Sequence, residues 1–519
     1  MKKNPIKVII IVVVSFLLHD FATAAEYSAG AYMQEGVRLE KRKEYFQASR
    51  YFFQALQKAS NAKDKAMAYA HLSNALTEEG LYQSATYFFL KAISGGDASA
   101  IRLALRSSKD LIDNVGGVVF KKYMLKYTRD EFYPSKEQKN YFLYYLAQDH
   151  LFGLRPQEVI NVINDISEDF QNYPYAMFLR GSAYLLTNQV DAGINDFKRC
   201  VRISTQGTYV KNSTPEEVRE IKNRCIAGVA RGEYQARRYL EAELWYEQVD
   251  INSFVWPQIQ YERAWTSVAR GDYNRALGRL VTYKSPALNW FRDSEIEMLR
   301  ALSYLQMCIY DDVDKESVSF INRFGPLGEE TKKLLENSSD GSTRSLVNLF
   351  QKGISALRTK VQTEDALSQM MNKFVHSPYF VQLANTGQKV HREIAYLNSM
   401  GKVGKVGLGG FLRNVLTWRW QMAQEIGGSF IRDRLDTEYK SLLANISTMD
   451  VVKLEMLRRA KTRLEQASMN DGTDVWGEKK RGSLGKPKIR DDQYFWDFNG
   501  EFWADELGDY VFALRPECQ

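Results

Sequence analysis

Histidine is scarce in this chain of 519 residues, which contains only five, and no catalytic motif surrounds them. None belongs to an HExxH or similar metal-binding pattern. The sequence also lacks a GxSxG nucleophile motif, and no cysteine has a histidine close to it that would indicate a reactive thiolate. These absences favour a protein that is not an enzyme and holds no cofactor or metal. A cell-wall-active enzyme stays open as an alternative, because glycosidase carboxylates leave little signature in one sequence.

A phosphate-binding loop is missing as well. Residues 401–410 are rich in glycine and include Lys402 and Lys405, but they fit neither GxxxxGKS/T nor GxGxxG. The preceding segment has the periodicity of a helix, whereas both motifs follow a strand. We therefore predict a flexible hinge at these glycines.

An excess of one charge is also absent. The chain has 70 lysine and arginine residues against 63 aspartate and glutamate residues, a formal net charge of +7. Removal of the leader described below would reduce the net charge to +5, since it carries three lysines and one aspartate. So small a positive charge excludes nucleic acid as an expected partner.

Long apolar runs occur only at the beginning of the chain. Lysines precede the apolar stretch from Val8 to Leu18, and Ala22-Thr23-Ala24 forms an A-x-A cleavage site. We predict that residues 1–24 are an export signal, cleaved near Ala24. A retained anchor is the alternative, but it needs roughly 20 apolar residues. No cysteine follows this run where a lipoprotein carries its lipid. The mature protein is therefore expected in the periplasm, with membrane association only through partners, and outer-membrane association is left open.

A pattern of small and large residues recurs at about 34 residues. After its first appearance around Gly36 it recurs around Ser73, Ala147, Gly181, Ala230, Ala264 and, in degenerate form, Ala301. The first two copies match at Gly36, Leu39, Tyr45, Ala48, Phe52 and Ala55, and at Ser73, Leu76, Gly80, Tyr82, Ala85, Phe89 and Ala92. A small residue in one helix lets the next helix approach, and a large residue fills the gap. The pattern resembles the tetratricopeptide family and implies an all-α solenoid over residues 25–325, with one further hairpin near residues 101–124 whose register stays open.

The C-terminal half has a different organisation. A polar break at 335–344 precedes a predicted helical domain over 345–469. Within it, residues 429–467 have apolar residues at steps of three and four, which predicts a long amphipathic helix. This helix either forms a coiled coil or packs on its own domain. A basic linker at 470–492 leads to an aromatic motif at 493–519, where rings flank Asn499-Gly500 and predict a short hairpin.

The ending DDQYFWDFNGEFWADELGDYVFALRPEC is the most specific feature of the chain. Its key residues are Trp496, Phe498, Asn499, Gly500 and Trp503. With the leader, the divergent repeats and the long helix, it resembles the periplasmic tetratricopeptide component of bacterial adventurous-gliding motility machines. The resemblance implies a non-enzymatic scaffold for envelope proteins. An adaptor in outer-membrane assembly or secretion is the alternative. So dense an aromatic segment cannot stay exposed. We predict that it docks on the protein's own helical domain, and docking on a partner is the alternative.

In the tetratricopeptide family, the first helix of each repeat faces a concave groove. That register places seven aromatic residues in the groove: Tyr141, Tyr144, Tyr175, Phe178, Tyr234, Tyr261 and Trp265. Rigid amphipathic rings are effective anchors for a peptide or helix. Packing roles for the same residues are the alternative. The carboxylate clamp known in the family is not expected, because only Asn74 is in place and Ala70 stands at the lysine position.

Four cysteines remain in the mature chain, where disulfides persist and three pairings are possible. The same register places Cys200 on the second helix of one repeat and Cys225 near the beginning of the next first helix. These helices pack together, so we predict a disulfide between Cys200 and Cys225. Buried free thiols are the alternative.

Overall fold

A computed structural model describes residues 28–206, 213–288, 290–358, 365–469 and 500–518. All regular secondary structure within these ranges is helical, which confirms the predicted all-α class. The leader at 1–24, the linker at 470–492 and the motif residues Trp496, Phe498 and Asn499 lie outside the described residues. For residues 500–518 the hairpin prediction is wrong, since they contain no strand.

Seven helix pairs follow one another along the chain and coincide with the seven predicted repeat copies. Their bounds are Ala29–Lys41 with Tyr45–Lys58, Ala62–Glu78 with Tyr82–Ser94, Lys136–Phe152 with Pro156–Asn164, Tyr173–Leu186 with Val190–Ser204, Pro215–Gln235 with Tyr239–Tyr246, Trp256–Ala269 with Tyr273–Val281, and Ser294–Gln306 with Tyr310–Asn337. We number them pairs 1 to 7. The region without a predicted register forms three short helices, Ala98–Ala104, Ser108–Val115 and Gly117–Tyr127. The predicted solenoid end at 325 falls inside the last helix of pair 7, which continues through Pro326.

The turn inside every pair has the same backbone geometry. One residue in each turn is left-handed, with φ between 52° and 82°: Lys43, Gly80, Leu154, Asn188, Arg237, Gly271 and Cys308. The N–H of the following residue donates to the carbonyl five positions earlier, as from Glu44 to Leu39 at 3.1 Å and from Asp272 to Ser267 at 2.9 Å. This is the Schellman arrangement that ends a helix and satisfies its last carbonyls. Glycine is the usual residue there, yet five of the seven turns use another residue.

Leu154 offers a direct test of the strain in these turns. Its φ is 52° and its side chain is 78% exposed, so its Cβ is crowded by the backbone and packing compensates little. Leu154→Gly is expected to stabilise the protein by about 1 kcal/mol. Leu154→Ala is the matched control, because it shortens the side chain but keeps the Cβ. Urea denaturation measures both, and a glycine variant no more stable than the alanine variant would contradict the expectation.

The packing logic predicted for the repeats is found in pairs 1 and 4. A Cβ on Gly36 would lie 2.5 Å from the ring of Phe52, and one on Gly181 would lie 2.9 Å from the ring of Phe197. Gly228, in pair 5, contacts the same Phe197 ring from the other side, where a Cβ would lie 2.5 Å away. Both phenylalanines are fully buried. Glycine is therefore required at these three positions, because a ring fills the space between the adjacent helices there.

The chain forms two compact units that do not follow the predicted domain boundaries. Unit 1 comprises residues up to 139 together with 386–420, and unit 2 comprises 140–385 together with residues from 421 onward. In unit 1, the rings of Phe53 and Tyr87 lie 5.2 and 5.7 Å from Phe411. A late part of the chain thus completes the core of the first repeats, which is why a division between 325 and 345 does not hold.

The predicted amphipathic helix is longer than expected and runs from Leu408 to Met469. It begins inside the glycine-rich segment 401–410, directly after Gly407, which has a left-handed backbone like Gly401. In unit 2, Leu435, Leu442, Met449 and Met456 are buried at steps of seven residues. One face of the helix therefore packs on unit 2, which also contains the helices Thr343–Arg358, Ala366–Val375 and Pro378–Ala384.

Two disulfides are present. Cys200 is joined to Cys225, the pair that the sequence indicated, with Cα atoms 5.9 Å apart. Cys308 is joined to Cys518, a connection across 210 residues. The second disulfide attaches the C-terminal segment to the turn of pair 7.

Residues 506–518, the C-terminal segment, dock within the chain as predicted for the tail, but the contacts described below are with the repeat helices of pairs 6 and 7, where the helical domain was expected. The N–H of Phe512 donates to the carbonyl of Asn274 at 3.1 Å, and the Asn274 side chain bonds the backbone of Leu514 in both directions. Phe512 and Leu514 pack on a cluster around Leu277 and Met307. Because pair 6 satisfies these backbone groups, the segment needs no partner strand. Trp503 departs from the expectation, since it remains 60% exposed.

Candidate functional site

An open cavity of about 450 Å³ lies between pairs 5 and 6. Its lining residues are Arg231, Tyr234, Tyr246, Glu262 and Trp265. The first helix of pair 5 contributes Arg231 and Tyr234, and the first helix of pair 6 contributes Glu262 and Trp265, both with a spacing of three residues that places them on one helix face. Three rings therefore surround a single arginine and a single carboxylate.

The charged groups of this aromatic cavity are fully paired. Glu262 accepts two hydrogen bonds from Arg231 at 2.8 and 2.9 Å, one from Tyr246 at 3.1 Å and one from Gln258 at 2.9 Å. Burial disfavours the charged guanidinium, but the attraction of Glu262 outweighs it and raises the pKa of Arg231 above its ordinary value. Burial, together with the Glu262 carboxylate, raises the pKa of Tyr246 well above its usual range. A carboxylate with four donors is a poor general base, so the cavity is suited to binding.

Two of the seven predicted groove residues, Tyr234 and Trp265, line the aromatic cavity. The indole N–H of Trp265 donates to Glu295 at 2.6 Å, which fixes the ring. Tyr261 lies on the same helix but does not line the cavity; its backbone N–H donates to the hydroxyl of Tyr283 at 2.9 Å. Burial raises the pKa of Tyr261 far above its ordinary value.

The other predicted groove residues lie elsewhere. Tyr141 is buried, and its ring meets Phe170 edge-on at 5.0 Å, so it cannot anchor a ligand. Tyr144 lies 6.1 Å from the same Phe170 ring. Phe178 packs on the core around Phe197, at 5.6 Å. Tyr175 is partly buried and does not line the cavity. The rings of Tyr141, Tyr144 and Phe178 are thus used in packing, which is the alternative that the sequence left open.

Sequence reasoning did not identify Arg231, Tyr246 and Glu262 as site residues. Tyr246 also packs in the hydrophobic cluster around Ala230 and Ile259, so its ring serves both the core and the cavity. Arg231 and Glu262 are 31 residues apart, close to the repeat period, and carry opposite charges on successive first helices. This spacing with opposite charges was the sequence signal that could have indicated an ion pair among the aromatic residues of the cavity.

A second cavity of about 430 Å³ lies at pair 7 and is rich in charge. Four cations line it, Lys284, Arg292, Arg300 and Arg323, together with Asp293, Glu297 and Glu316. Arg300 pairs with Glu316 at 3.1 Å, and Arg323 pairs with Glu297. Within the described ranges, Lys284 and Arg292 have no ion pair, and burial followed by the neighbouring arginines lowers the pKa of each. Because four cations and three carboxylates line this cavity, its charge favours a ligand with acidic groups.

The C-terminal segment leaves the aromatic cavity uncovered. Gly508 packs against Gln260 and Arg263, and Asp509 lies 3.2 Å from the Arg263 guanidinium. Gln260 and Arg263 are on the face of the helix opposite to Glu262 and Trp265, because successive residues are about 100° apart. The segment thus occupies the other side of pair 6.

Neither a spanning helix nor a metal centre is found in the described part of the chain. No helix there combines the length and the apolar composition needed to cross a membrane. No group of three or more histidine, cysteine, aspartate or glutamate side chains there could hold a metal ion.

Comparison with known proteins assigns this chain to no family. No protein-family description and no curated protein matches the chain. Among solved structures, the apo form of RapI is 11% identical, covers 77% of this chain and 97% of its own, and has a TM-score of 0.31. A circular tandem repeat protein with a novel repeat topology is 13% identical, covers 83% and 91%, and has a TM-score of 0.13. TM-scores this low carry no argument about function.

Proposed function

We propose that this protein is a non-enzymatic scaffold that binds segments of other envelope proteins in the aromatic cavity. The observation that carries the proposal is the combination of three ring-bearing walls with an Arg231–Glu262 pair that has no unused acceptor. Rings of this kind bury much area at little entropic cost. The fully paired carboxylate offers a binding surface but no base for a reaction.

The chain itself provides a precedent for recognition of an extended segment by these helix pairs. Residues 512–514 lie against pair 6, where their backbone forms hydrogen bonds with the backbone carbonyl and the side chain of Asn274, and Phe512 and Leu514 pack on the repeat helices. A partner segment on the uncovered face of the same pair would use the same elements: backbone groups for affinity and side-chain cavities for selection.

The cellular setting of the proposal comes from the sequence. The leader and its A-x-A site support export, and two disulfides are compatible with an oxidising compartment. The resemblance of the C-terminal motif supports a role in an envelope complex of the gliding-motility type. Outer-membrane assembly or secretion remains the second setting for the same binding activity.

Removal of either aromatic anchor is expected to weaken partner binding. In Tyr234→Ala and Trp265→Ala variants, affinity for envelope partners should fall at least tenfold each, since central aromatic anchors are typically worth about 2 kcal/mol or more. Affinity capture of the tagged, exported protein followed by mass spectrometry identifies the partners, and titration with the purified partner gives the affinity.

The control for this experiment is Phe254→Ala, which removes another exposed ring of unit 2. It should leave capture unchanged, and circular dichroism should show native helicity for all three variants. Partners retained by both cavity variants would refute the proposed site. Digestion of purified cell wall by the wild-type protein alone would refute the non-enzymatic assignment.

A further inference from the structure

Within the ranges that the structure describes, no residue covers an apolar stripe on the face of the long helix that points away from the rest of unit 2. The exposed positions advance by alternating steps of four and three residues: Leu443, Ser447, Asp450, Leu454, Leu457, Lys461 and Leu464. Leu454 is 66% exposed and Leu457 is 53% exposed. Steps of three and four residues define the seam of a coiled coil. We call these seven residues the seam.

The opposite face of the same helix is fixed in place. Asn445 donates to the hydroxyl of Ser294 at 2.8 Å, and the hydroxyl of Ser317 lies 3.4 Å from the sulfur of Met449. These contacts, with the buried Met456, hold the helix on unit 2. The helix therefore cannot rotate to hide the seam, and its exposed leucines keep their orientation.

We propose that the seam pairs with the seam of a second copy of this chain, in antiparallel orientation. The charges within the seam determine the orientation. In an antiparallel pair centred between Leu454 and Leu457, these leucines face each other across the dyad, and Asp450 of one copy faces Lys461 of the other, twice. A parallel pair would place Asp450 against Asp450 and Lys461 against Lys461. Only the antiparallel arrangement is complementary.

The charged residues of the seam are available for this pairing. Asp450 has no ion pair within the ranges that the structure describes. Lys461 lies 3.6 Å from Glu465, but both are exposed, so that contact is worth little and can exchange. Glu455, beside the centre of the seam, already pairs with Arg458 and Arg459 at 2.7 Å each, which reduces repulsion between the two copies.

The contact has the geometry of a closed dimer. An antiparallel pair has a twofold axis, so the same surface is used on both copies and association stops at two. The part of the seam that pairs with itself in this register, from Ser447 to Leu464, spans about 27 Å of helix. A contact of this length, with two leucines per chain at its centre, is small for a stable interface and fits a dissociation constant in the micromolar range, roughly 1–100 µM.

Sedimentation velocity of the full mature chain over this concentration range tests the proposal. The wild type should pass from monomer to dimer as concentration rises. Leu454→Asp should weaken dimerisation at least tenfold, because it places a charge at the centre of the seam. A monomer at all concentrations would overturn the proposal. The seam would then be covered by another part of the chain or by a different protein.

Charge exchange distinguishes antiparallel pairing of two copies from other modes of association. Asp450→Lys alone should weaken the dimer roughly tenfold, because lysine then faces lysine. Adding Lys461→Asp should restore it, since the two exchanged residues face each other again. Lys333→Asp, a charge reversal on a different helix, is the control and should change nothing. Dimerisation that resists Leu454→Asp, or that the double exchange fails to restore, would also overturn the proposal.

Discussion

Replacing Glu393 by alanine is expected to destabilise the protein by about 3–5 kcal/mol, the largest effect anticipated for a single substitution. Glu393 belongs to the helix Thr386–Ser399 of unit 1 and accepts hydrogen bonds from the backbone N–H of Gln83, at 2.6 Å, and from the backbone N–H and hydroxyl of Ser84. It thereby caps the first turn of the helix Tyr82–Ser94 from more than 300 residues away. Loss of the carboxylate would leave these buried N–H groups without an acceptor.

A second loss adds to the first. Arg419, also in unit 1, is fully buried, and none of its three guanidinium nitrogens has a hydrogen-bond partner among the described residues. Burial lowers the pKa of Arg419 to about 10, and the charge of Glu393 is the opposing attraction. Glu393→Ala would remove the counter-charge, and a buried, uncompensated cation is costly.

Denaturant unfolding measures the change in the free energy of unfolding. Glu393→Gln is the matched control, because it retains an acceptor for the capping bonds and loses only the charge, so it should cost less than Glu393→Ala. Equal stability of the alanine variant and the wild type would show that the cap contributes nothing.

The same residue predicts a pH dependence. Burial raises the pKa of Glu393 to about 7, against the opposing effect of the donors at Ser84 and Gln83. The folded state then holds its proton more tightly than the unfolded state does. The resulting stabilisation is complete below the unfolded pKa, about 4.5, and is lost as the pH rises towards 7. The Tm of the wild type relative to that of Glu393→Gln should therefore fall as the pH rises from about 4.5 to 7. A Tm difference that does not change with pH would contradict the assignment.

Removal of the disulfide between Cys308 and Cys518 is expected to cost about 5 kcal/mol, an effect comparable with that of Glu393→Ala. The bond closes a loop of 210 residues, and the loss of unfolded-state entropy grows with loop length. The disulfide between Cys200 and Cys225 encloses only 25 residues and should contribute about 3 kcal/mol. The paired variants Cys308→Ser with Cys518→Ser, and Cys200→Ser with Cys225→Ser, allow a direct comparison by thermal unfolding.

Deletion of residues 491–519 extends this experiment. It removes the same covalent bond together with Phe512, Leu514 and the bonds to Asn274, so it should lower stability further and increase binding of an apolar dye. A shortened protein with unchanged Tm but lost partners would show that the tail acts in binding and not in stability.

The repeats could be predicted because their cause is local and recurs. A small residue at Gly36 or Gly181 and a ring at Phe52 or Phe197 follow from the closeness of two helices joined by a short turn. The disulfide between Cys200 and Cys225 could be predicted for the same reason, because these cysteines lie on helices that are neighbours in the repeat. In contrast, the bond between Cys308 and Cys518 depends on where the tail docks, which no periodicity reveals.

The residues that line the aromatic cavity could be predicted from the sequence only in part, for a related reason. Repeat register identifies which helix carries a ring, but a rotation of one residue moves a side chain by about 100°. Tyr234 and Trp265 fall on the open face, whereas the same reasoning misplaced Tyr141. Glu393 had no signal at all, because a capping carboxylate that acts across 310 residues looks like any surface glutamate of a helix.

The disulfide at the C-terminus also determines how the protein would carry mechanical force. A pull applied at the C-terminus would pass from Cys518 directly to Cys308, because the covalent bond bypasses every residue between them. The long helix and the rest of the intervening chain would bear none of that load. Tension would instead reach pair 7 at its turn and continue towards the earlier pairs. An anchor pulled from its C-terminus would therefore keep its seam and the intervening helices folded while the bond remains oxidised.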